Sequence, residues 1–259
     1  MNWSPEQYLK FAAPRLRPAV DLLAHVAVAA PRTVYDLGCG AGNVTQLLAQ
    51  RWPAAAITGV DASDEMLAQA ARAPAASPIT WQRQTLETWT PAAPAQVIFS
   101  NAALHWLPQH QTLFPRLAGQ LAPGGVLAVQ MPRNFAAPSH VAIADTVADG
   151  PWKEKLTPLL RRNPVHAPAV YHQLLAPLMD TVDIWETEYL HVLEGRDPVK
   201  EWTKGTWLKT FLDALSGAER PAFEAAYAAR VADAYPPQAD GKTLFPFRRI
   251  FIVAIARAH

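Results

Sequence analysis

Apolar positions in the first half of the chain follow two periods, short continuous runs and longer stretches with helical spacing. The runs lie at Thr33–Leu37, Ile57–Asp61, Val97–Ser100 and Gly125–Val129, with a weaker one at Ile79–Gln82. Helical spacing separates most of them, at Val44–Trp52, Ser63–Ala73 and Thr112–Leu121. Short apolar strands that alternate with helices predict an α/β fold, with a parallel sheet buried on both faces and right-handed crossovers.

The N-terminal segment carries a helix-start pattern. Ser4 suits an N-cap, Pro5 the first helical position, and Gln7 can complete a capping box. We predict a short helix there that ends at Pro14, followed by a second helix that begins at Pro18. Together they form a helical cap over residues 1–30.

Beyond Met131 the pattern is less regular and is interrupted by prolines. Strand patterns return at Thr181–His191 and Arg249–Ala256, with helical patterns at Pro198–Leu215 and Gly217–Tyr235 between them. We therefore predict one domain over residues 1–259, with a cofactor-binding core at 31–134. A helical insertion at 195–245, before the last strand, has the position of a lid over the ligand crevice.

Composition and charge exclude several classes of protein. The chain has 259 residues, a formal net charge of +1 and one cysteine. Near-neutral charge argues against nucleic-acid binding through bulk electrostatics, and a single cysteine excludes a disulfide framework and a multi-thiolate zinc site. The histidines and acids show no metal-ligand spacing, and no apolar run has the length of a membrane span. We expect a cytoplasmic protein, a monomer or weak homodimer, that binds no metal, membrane or nucleic acid.

The most informative stretch is a glycine loop, DLGCGAGN, at Asp36–Asn43. It leaves a predicted strand and enters a predicted helix, where glycines let the backbone approach a ligand closely. A second acid, Asp61, closes the next strand. One carboxylate at each of two adjacent strand ends suits a ligand with an amine and a ribose diol, bound outside the carboxyl ends of the strands.

Three interpretations of this loop stay open. A dinucleotide fold requires G-x-G-x-x-G, whereas Asn43 occupies the sixth position here. An acid shortly before the glycines is the pattern of S-adenosylmethionine-dependent methyltransferases. The loop could also serve only as a strand–helix turn. Cys39, between two glycines, is interpreted as a small filler and not as a nucleophile, because nothing near it in sequence would activate a thiol.

Further motifs extend almost over the whole chain. They are W-x-P-x-x-Y-L-x-F from Trp3, NAALHWLP from Asn101, VLAVQMPRN from Val126, VDIW from Val182 and FIVA from Phe251. With the glycine loop, they make the sequence resemble the trans-aconitate methyltransferases, a family of bacterial carboxyl methyltransferases. The resemblance implies a Rossmann-like class I methyltransferase sheet with an antiparallel last strand. It also implies S-adenosyl-L-methionine as cofactor and S-adenosyl-L-homocysteine as product.

The resemblance also implies a set of residues that bind the cofactor. One departure is Gln84-Thr85-Leu86, which stands where an acidic residue commonly contacts adenine in this superfamily. The predicted cofactor-binding residues are Asp36, Gly38, Gly40, Gly42, Asp61, Ala62, Thr85, Leu86 and Asn101.

Methyl transfer to a carboxylate makes few acid–base demands, because the carboxylate is already ionised at neutral pH. Alignment and shielding from water remain, and pre-organisation of this kind contributes roughly 7–11 kcal/mol. No residue is assigned with certainty as catalytic; His105 and Trp106 are candidates for orienting the reactants. Charge on the reacting carboxylate is lost as the bond forms, so positive groups should hold the other carboxylates of a polycarboxylate instead, a task for arginine. The predicted substrate-binding residues are Tyr8, Phe11, Arg17, Arg133, Tyr171, Trp207, Arg248 and Arg249.

Other functions compete with methylation of trans-aconitate. The same chemistry could act on another free acid, such as a fatty or isoprenoid acid. A non-catalytic module that binds S-adenosylmethionine and a nicotinamide dehydrogenase are the further alternatives. With a net charge of only +1, attraction of a polyacid must come from a few arginines gathered in one place.

Overall fold

The computed structural model describes residues 12–75, 77–160 and 163–258, with side chains from residue 16 onward. The strands are β1 (Thr33–Leu37), β2 (Ala56–Asp61), β3 (Ile79–Arg83), β4 (Ala95–Asn101), β5 (Leu121–Pro132), β6 (Met179–Leu193) and β7 (Thr243–Ala256). The helices are α1 (Ala12–Ala24), α2 (Asn43–Arg51), α3 (Asp64–Arg72), α4 (His110–Ala118), α5 (Pro138–Asp149), α6 (Lys153–Leu156), α7 (Pro168–Leu175), α8 (Pro198–Lys204), α9 (Trp207–Asp213) and α10 (Glu219–Ala234).

The strands form one sheet in the order β3-β2-β1-β4-β5-β7-β6. β3, β2, β1, β4 and β5 pair in parallel, whereas β7 runs antiparallel to β5. The strand order reverses between β1 and β4, which in an open α/β sheet marks the ligand crevice at the carboxyl ends. The predicted mostly parallel sheet with an antiparallel last strand is confirmed.

Contacts divide the chain into two compact units. The first, here called the sheet unit, comprises residues 15–132, 164–187 and 249–258 of the described chain. The apolar strands β1, β4 and β5 form its core, with residues such as Val34, Ile98 and Leu127 fully buried. Continuous apolar runs are thus explained by burial on both faces of the sheet.

The second unit, here called the helical unit, contains residues 133–160, 163 and 188–248, together with 12–14. Its core is aromatic: Phe211 stacks on Phe223 with ring centroids 6.3 Å apart, and Trp152 meets Phe223 edge-on at 5.1 Å. The predicted insertion at 195–245 lies in this unit, which also contains the segment from 133 to 163 that the sequence pattern left without an element.

Several elements differ from the sequence prediction near prolines. α1 begins at Ala12 and contains Pro18, so the predicted start of a helix at Pro18 is wrong, whereas the predicted first helix lies mostly outside the described residues. Burial of Ala19, Leu22 and Leu23 on one face of α1 outweighs the hydrogen bond that Pro18 cannot donate. The predicted cap residues Tyr8 and Phe11 lie outside the described residues.

Two further differences from the sequence prediction also lie at prolines. α5 begins with a proline at its first turn, a position that suits a helix start, and was not predicted. β7 begins at Thr243, six residues before the predicted start at Arg249, and it includes Pro246.

Within the described residues, no helix has both the length and the apolar character needed to cross a membrane.

Candidate functional site

The glycine loop turns sharply from β1 into α2. Gly38, Gly40 and Gly42 all have positive φ angles, of 74°, 53° and 81°. The amides of Gly38 and Cys39 donate to the carbonyl of Val60, at 2.8 and 3.0 Å, so the loop is fastened to the end of β2. Left-handed backbone at three positions explains the spacing of the glycines, because other residues rarely adopt it.

Two of these glycines differ in what surrounds them. A Cβ on Gly38 would lie 2.2 Å from the Cβ of Ala103, in the loop after β4. A Cβ on Gly40 would meet no atom within 4 Å. Gly38 is therefore needed for close packing of two loops, whereas Gly40 faces open space, as a glycine beside a ligand would.

Asp61 connects the glycine loop to the start of α3. One carboxylate oxygen, Oδ2, accepts the amide proton of Gly40 at 2.9 Å, and Oδ1 accepts that of Ser63 at 2.9 Å. Ser63 in turn caps α3 by accepting the amide of Met66 at 3.3 Å. Because each carboxylate oxygen has a second lone pair, Asp61 can still accept hydroxyl protons from a ligand. Ala62 beside it is exposed.

Asp36, at the end of β1, is buried and held by one side chain. The hydroxyl of Thr45 on α2 donates to its Oδ2 at 2.6 Å. Burial raises the pKa of Asp36 to about 7, an effect that the Thr45 hydrogen bond opposes and the charge of Asp61 reinforces. A cation brought to this carboxylate would stabilise its ionised form.

The thiol of Cys39 agrees with its interpretation as a filler. Cys39 is buried, and burial together with the charges of Asp36 and Asp61 raises the pKa of the thiol. A thiol whose pKa is raised is a poor nucleophile at neutral pH. Among the described residues, no group of three or more His, Cys, Asp and Glu is placed to hold a metal ion.

Strand register brings five polar side chains to one face of the sheet. Asp36 pairs with Gly59 on β2 and with Phe99 on β4, Asn101 pairs with Gln130, and Arg249 on β7 pairs with Pro132 on β5. Side chains of paired residues share a face, and so do residues two apart along a strand. The resulting set, which we call the polar row, consists of Asp61, Asp36, Asn101, Gln130 and Arg249, in strand order β2-β1-β4-β5-β7.

The polar row is graded in charge. Its β1–β2 end carries two acids, its middle two neutral amides and its β7 end an arginine that is only 4% exposed. The row lies where the carboxyl ends of the parallel strands meet, the usual ligand position in such sheets. It could therefore hold a cationic group at one end and an anionic group at the other.

The two amides at the centre of the row carry buried atoms that have no hydrogen-bond partner among the described residues. Gln130 is fully buried, and neither its Oε1 nor its Nε2 has a hydrogen-bond partner among the described residues. The buried Oδ1 of Asn101 has none there either. An unsatisfied buried polar group costs about 1–3 kcal/mol, so these amides mark a place where a ligand or water completes the bonding.

The loop after β4 is strained at its first residue. Ala102 has φ 53°, unusual for a residue with a Cβ, and its amide donates to the carbonyl of Gln130 at 2.9 Å. A 3₁₀ turn, Leu104–Trp106, follows and carries the predicted residues His105, which is buried, and Trp106. Their rings lie 4.7 Å apart. Backbone strain of this kind concentrates at functional sites.

Buried side chains hold this 3₁₀ turn from behind. The ring of His110 contacts the carbonyl of Leu104 at 2.9 Å through Nε2 and the hydroxyl of Tyr171 at 2.6 Å through Nδ1. Burial lowers the pKa of His110, which favours a neutral ring whose Nε2–H donates to Leu104 and whose Nδ1 accepts from Tyr171. Tyr171, predicted as a pocket wall, is fully buried and packs on Phe114, with ring centroids 4.7 Å apart.

The predicted adenine contacts lie in a segment that an arginine fastens. The hydroxyls of Thr85 and Thr88 are 3.0 Å apart, and the side chain of Leu86 lies near Gly38, 3.5 Å from where its Cβ would be. Arg116 on α4 donates to the carbonyls of Leu86, at 2.6 Å, and Trp89. This segment therefore lies beside the glycine loop with its backbone fixed.

The predicted substrate residues are divided between the two units. In the sheet unit, Arg249 belongs to the polar row, whereas Arg17 is exposed and lies 3.8 Å from Asp21. In the helical unit, Arg248 is exposed and lies 3.8 Å from Glu188. The partly buried Arg133 and Trp207 also belong to the helical unit.

Trp207 belongs to an aromatic group within the helical unit. Its ring meets that of Phe135 edge-on at 5.9 Å and lies 6.4 Å from the ring of His140. Burial lowers the pKa of His140 to about 4, so the ring is neutral at physiological pH. The contacts of Trp207 within this group are those of a packed aromatic residue.

Sequence reasoning did not identify three residues that shape the site: Thr45, Arg116 and Gln130. Thr45 could have been found as the residue one helical turn after the loop that faces Asp36. Gln130 could have been found as an amide inside an otherwise apolar strand, VLAVQM, because a polar residue in a buried strand needs a partner. Arg116 has no local sequence signal, since its partners lie 27 and 30 residues away.

Comparison with known proteins gives a family match and full-length relatives. A family model described as a methyltransferase domain matches residues 34–125. Trans-aconitate 2-methyltransferase of Azoarcus sp. (strain BH72) is 47% identical over 254 residues, covering 98% of this chain and 99% of that protein. Its namesake in Agrobacterium fabrum is 44% identical over 259 residues, covering 99% and 100%. The crystal structure of a Bacillus YcgJ protein shares the fold, with a TM-score of 0.57 at 16% identity, over 92% of this chain and 97% of that one.

Proposed function

This chain belongs to the trans-aconitate 2-methyltransferase family, and we propose that it methylates one carboxylate of trans-aconitate to give a monomethyl ester. The resemblance inferred from sequence is thereby confirmed, as is S-adenosylmethionine as cofactor. The observation that carries the proposed substrate is the polar row. Its acids suit the cationic donor, and its buried arginine suits an anionic acceptor.

The residues around the glycine loop fit an adenosyl amino acid. The open space at Gly40 leaves room for a ligand beside the backbone, and the buried Oδ1 of Asn101 offers an acceptor without a partner in the described chain. Asp36 would hold the amine, whose charge would offset the burial of that carboxylate. Asp61 would accept the ribose hydroxyls, and Thr85 and Leu86 would contact adenine.

The protein's contribution to the reaction is alignment. When bound, S-adenosylmethionine supplies the methyl group: an O–C bond forms at the carboxylate, the C–S bond breaks, and the electron pair stays on sulfur as S-adenosylhomocysteine. No proton moves, so no side chain need act as a general base. The rigid glycine loop and the polar row would hold the two reactants in line, and pre-organisation of this kind contributes roughly 7–11 kcal/mol.

Arg249 would hold a carboxylate that does not react. Its planar guanidinium can meet a carboxylate through two parallel hydrogen bonds, and burial strengthens such a contact. Its position at the β7 end of the row separates it from the acids at the β1–β2 end. This arrangement keeps positive charge away from the oxygen that attacks the methyl carbon.

The other predicted substrate residues stay predictions. His105 and Trp106 would orient the reactants and exclude water, on a turn that His110 holds in place. Arg17, Arg133 and Arg248 remain predictions for holding the substrate's other carboxylates. Tyr8, Phe11, Tyr171 and Trp207 remain predictions for the pocket wall. A single domain with a lid, a monomer or weak homodimer, and a cytoplasmic location also stay predictions.

A transfer assay tests the proposed function. The purified protein is incubated with methyl-labelled S-adenosylmethionine and a panel of acids, and base-labile volatile methanol is counted. We expect label with trans-aconitate and little with monocarboxylic acids. Label with a fatty or isoprenoid acid instead would contradict the proposed substrate, and cofactor binding without transfer to any acid would contradict catalysis.

Replacement of the buried arginine tests its role. For Arg249→Met we expect the KM for trans-aconitate to rise at least about tenfold, because a charge-assisted bidentate contact is lost. The dissociation constant of S-adenosylhomocysteine should change less than about twofold, since Arg249 is remote from the acids. Arg249→Lys, which keeps the charge but not the fork, should lie between. Arg257→Met, an exposed arginine just beyond β7, is the control. An unchanged KM in Arg249→Met would exclude Arg249 from the site.

A further inference from the structure

Gln130 is the one member of the polar row to which the proposed function assigns no role. It is fully buried near the carboxyl end of β5, and both polar atoms of its amide lack hydrogen-bond partners among the described residues. Two other buried polar side chains of the sheet, on β1 and β4, are bonded to the protein: Asp36 accepts a hydrogen bond from Thr45, and Ser100 donates to the carbonyl of Leu37 at 2.8 Å. Because buried amides in native proteins are almost always bonded, the partner of Gln130 lies outside the described residues, and a bound ligand or an ordered water would supply it.

The position of Gln130 indicates which ligand. In sheet order it stands between Asn101, one of the predicted cofactor-binding residues, and β7, which carries Arg249. Cofactor binding is already served at the other end by Asp36, Asp61 and the glycine loop. A group held at Gln130 would therefore lie between the methyl donor and the carboxylate held by Arg249.

We propose that Gln130 is a substrate-binding residue whose amide N–H donates to the carboxylate that becomes methylated. This inference rests on the proposed function, because it requires a carboxylate acceptor. The chemistry favours an amide there over a cation. The attacking oxygen loses its negative charge as the O–C bond forms, so a cation would stabilise the ground state more than the transition state. A neutral donor fixes the oxygen in line with less of that penalty.

The amide would also orient the bound carboxylate. Its N–H can donate to a carboxylate oxygen, while its carbonyl oxygen repels the second carboxylate oxygen and favours one orientation. Asn101, paired with Gln130 across β4 and β5, presents a further acceptor, which orients groups with N–H or O–H protons instead. One carboxylate oxygen is thereby left to face the methyl donor.

Substitution of Gln130 tests the inference with the full-length protein. For Gln130→Met, similar in size and apolar, we expect kcat/KM for trans-aconitate to fall about 10- to 100-fold, because an oriented donor is lost. The dissociation constant of S-adenosylhomocysteine should stay within about twofold of the wild type. The Tm of the ligand-free protein should be unchanged or higher, since removal of an unsatisfied buried amide relieves a penalty. Gln130→Glu should lose more activity, because it places a second anion against the substrate.

The matched control is Gln120→Met, the same replacement just before the amino end of β5. It should leave kcat/KM unchanged within about twofold, because it lies at the opposite edge of the sheet. The same comparison is made on whichever acid the wild type methylates.

The outcomes separate the inference from the proposed function. Full activity in Gln130→Met overturns the inference alone. A loss of S-adenosylhomocysteine affinity assigns the amide to the cofactor and also overturns it. A lowered Tm with unchanged kinetics assigns it a structural role through water, with the same consequence. If the wild type transfers to no acid, the proposed function fails and the inference fails with it.

Discussion

At the β1–β2 end of the polar row each carboxylate is already bonded to the protein, whereas at the β4–β5 end the amides of Asn101 and Gln130 have unbonded buried atoms within the described chain. Asp36 accepts a hydrogen bond from the hydroxyl of Thr45, and Asp61 accepts hydrogen bonds from backbone amides of the loop and the α3 cap. The cofactor end is therefore organised before any ligand arrives. The amide end has groups whose bonding a ligand would complete, which is where selection of a substrate is expected.

The largest effect should come from breaking the organised end at Gly38. For Gly38→Ala we expect a loss of about 3 kcal/mol or more in stability, because the new Cβ meets that of Ala103 and φ is positive. For a chain of this size that corresponds to a fall in Tm of roughly 6–12 °C. The variant should also fail to bind S-adenosylhomocysteine, so that adding this ligand leaves its Tm unchanged.

Gly40→Ala is the matched control for Gly38→Ala. Its φ is also positive but its Cβ enters open space, so only about 1 kcal/mol of stability should be lost. Cofactor binding should still weaken, because the methyl group takes ligand space. Equal losses of Tm in the two variants would show that packing against Ala103 is not what requires Gly38.

The next effect is a pH dependence at Asp36. Because burial raises its pKa to about 7, lowering the pH below 7 protonates the carboxyl in the free protein and removes the charge that holds the ligand amine. We expect the affinity for S-adenosylhomocysteine to fall by about tenfold per pH unit well below the pKa, and to level off above it. Calorimetry between pH 5 and 9 measures this slope. In Asp36→Asn binding should be weak and the slope lost, whereas a flat wild-type profile would exclude Asp36 as the amine acceptor.

The smallest effect should come from Thr45, which sharpens the contrast between a bonded and an unbonded site residue. Thr45→Val keeps the shape of the side chain but removes the hydroxyl that donates a hydrogen bond to Asp36, so the pKa of Asp36 should rise further. At pH 7 the affinity for S-adenosylhomocysteine should fall by roughly 3- to 10-fold, and at pH 9 most of the difference should disappear. An equal loss at both pH values would indicate lost packing, not a changed pKa.

The sheet unit was more predictable than the helical unit for a physical reason. β1 and β2 are continuous apolar runs, and the glycine loop and Ser63 cap are local signals for turns and helix starts. In the helical unit, short helices such as α8 and α9 pack around a shared aromatic core, which no local period reveals. One predicted helix over Pro198–Leu215 is therefore two, separated at Gly205 and Thr206.

The substrate residues show the same limit. An arginine in a sequence has the same residue type whether it is buried or solvated. Strand alternation separates Arg248, with half of its side chain exposed, from Arg249, which is buried, and only the start and register of β7 decide which is which. Likewise Tyr171 was predicted from residue type as a pocket wall, and the structure gives it the contacts of a core residue.

The sequence by itself determined the parallel sheet, the glycine loop, the acids at two strand ends and the family. The first three depend on residues close together in the chain, and the family depends on motifs distributed over almost its whole length. Tertiary structure alone decided that Asp61, Asp36, Asn101, Gln130 and Arg249 share one face, and that buried atoms of the two amides there lack partners within the described chain. The physical reason is register: pairing across β2, β1, β4, β5 and β7 joins residues up to 213 positions apart, counted from Asp36 to Arg249. Only the folded sheet brings such distant groups to one edge.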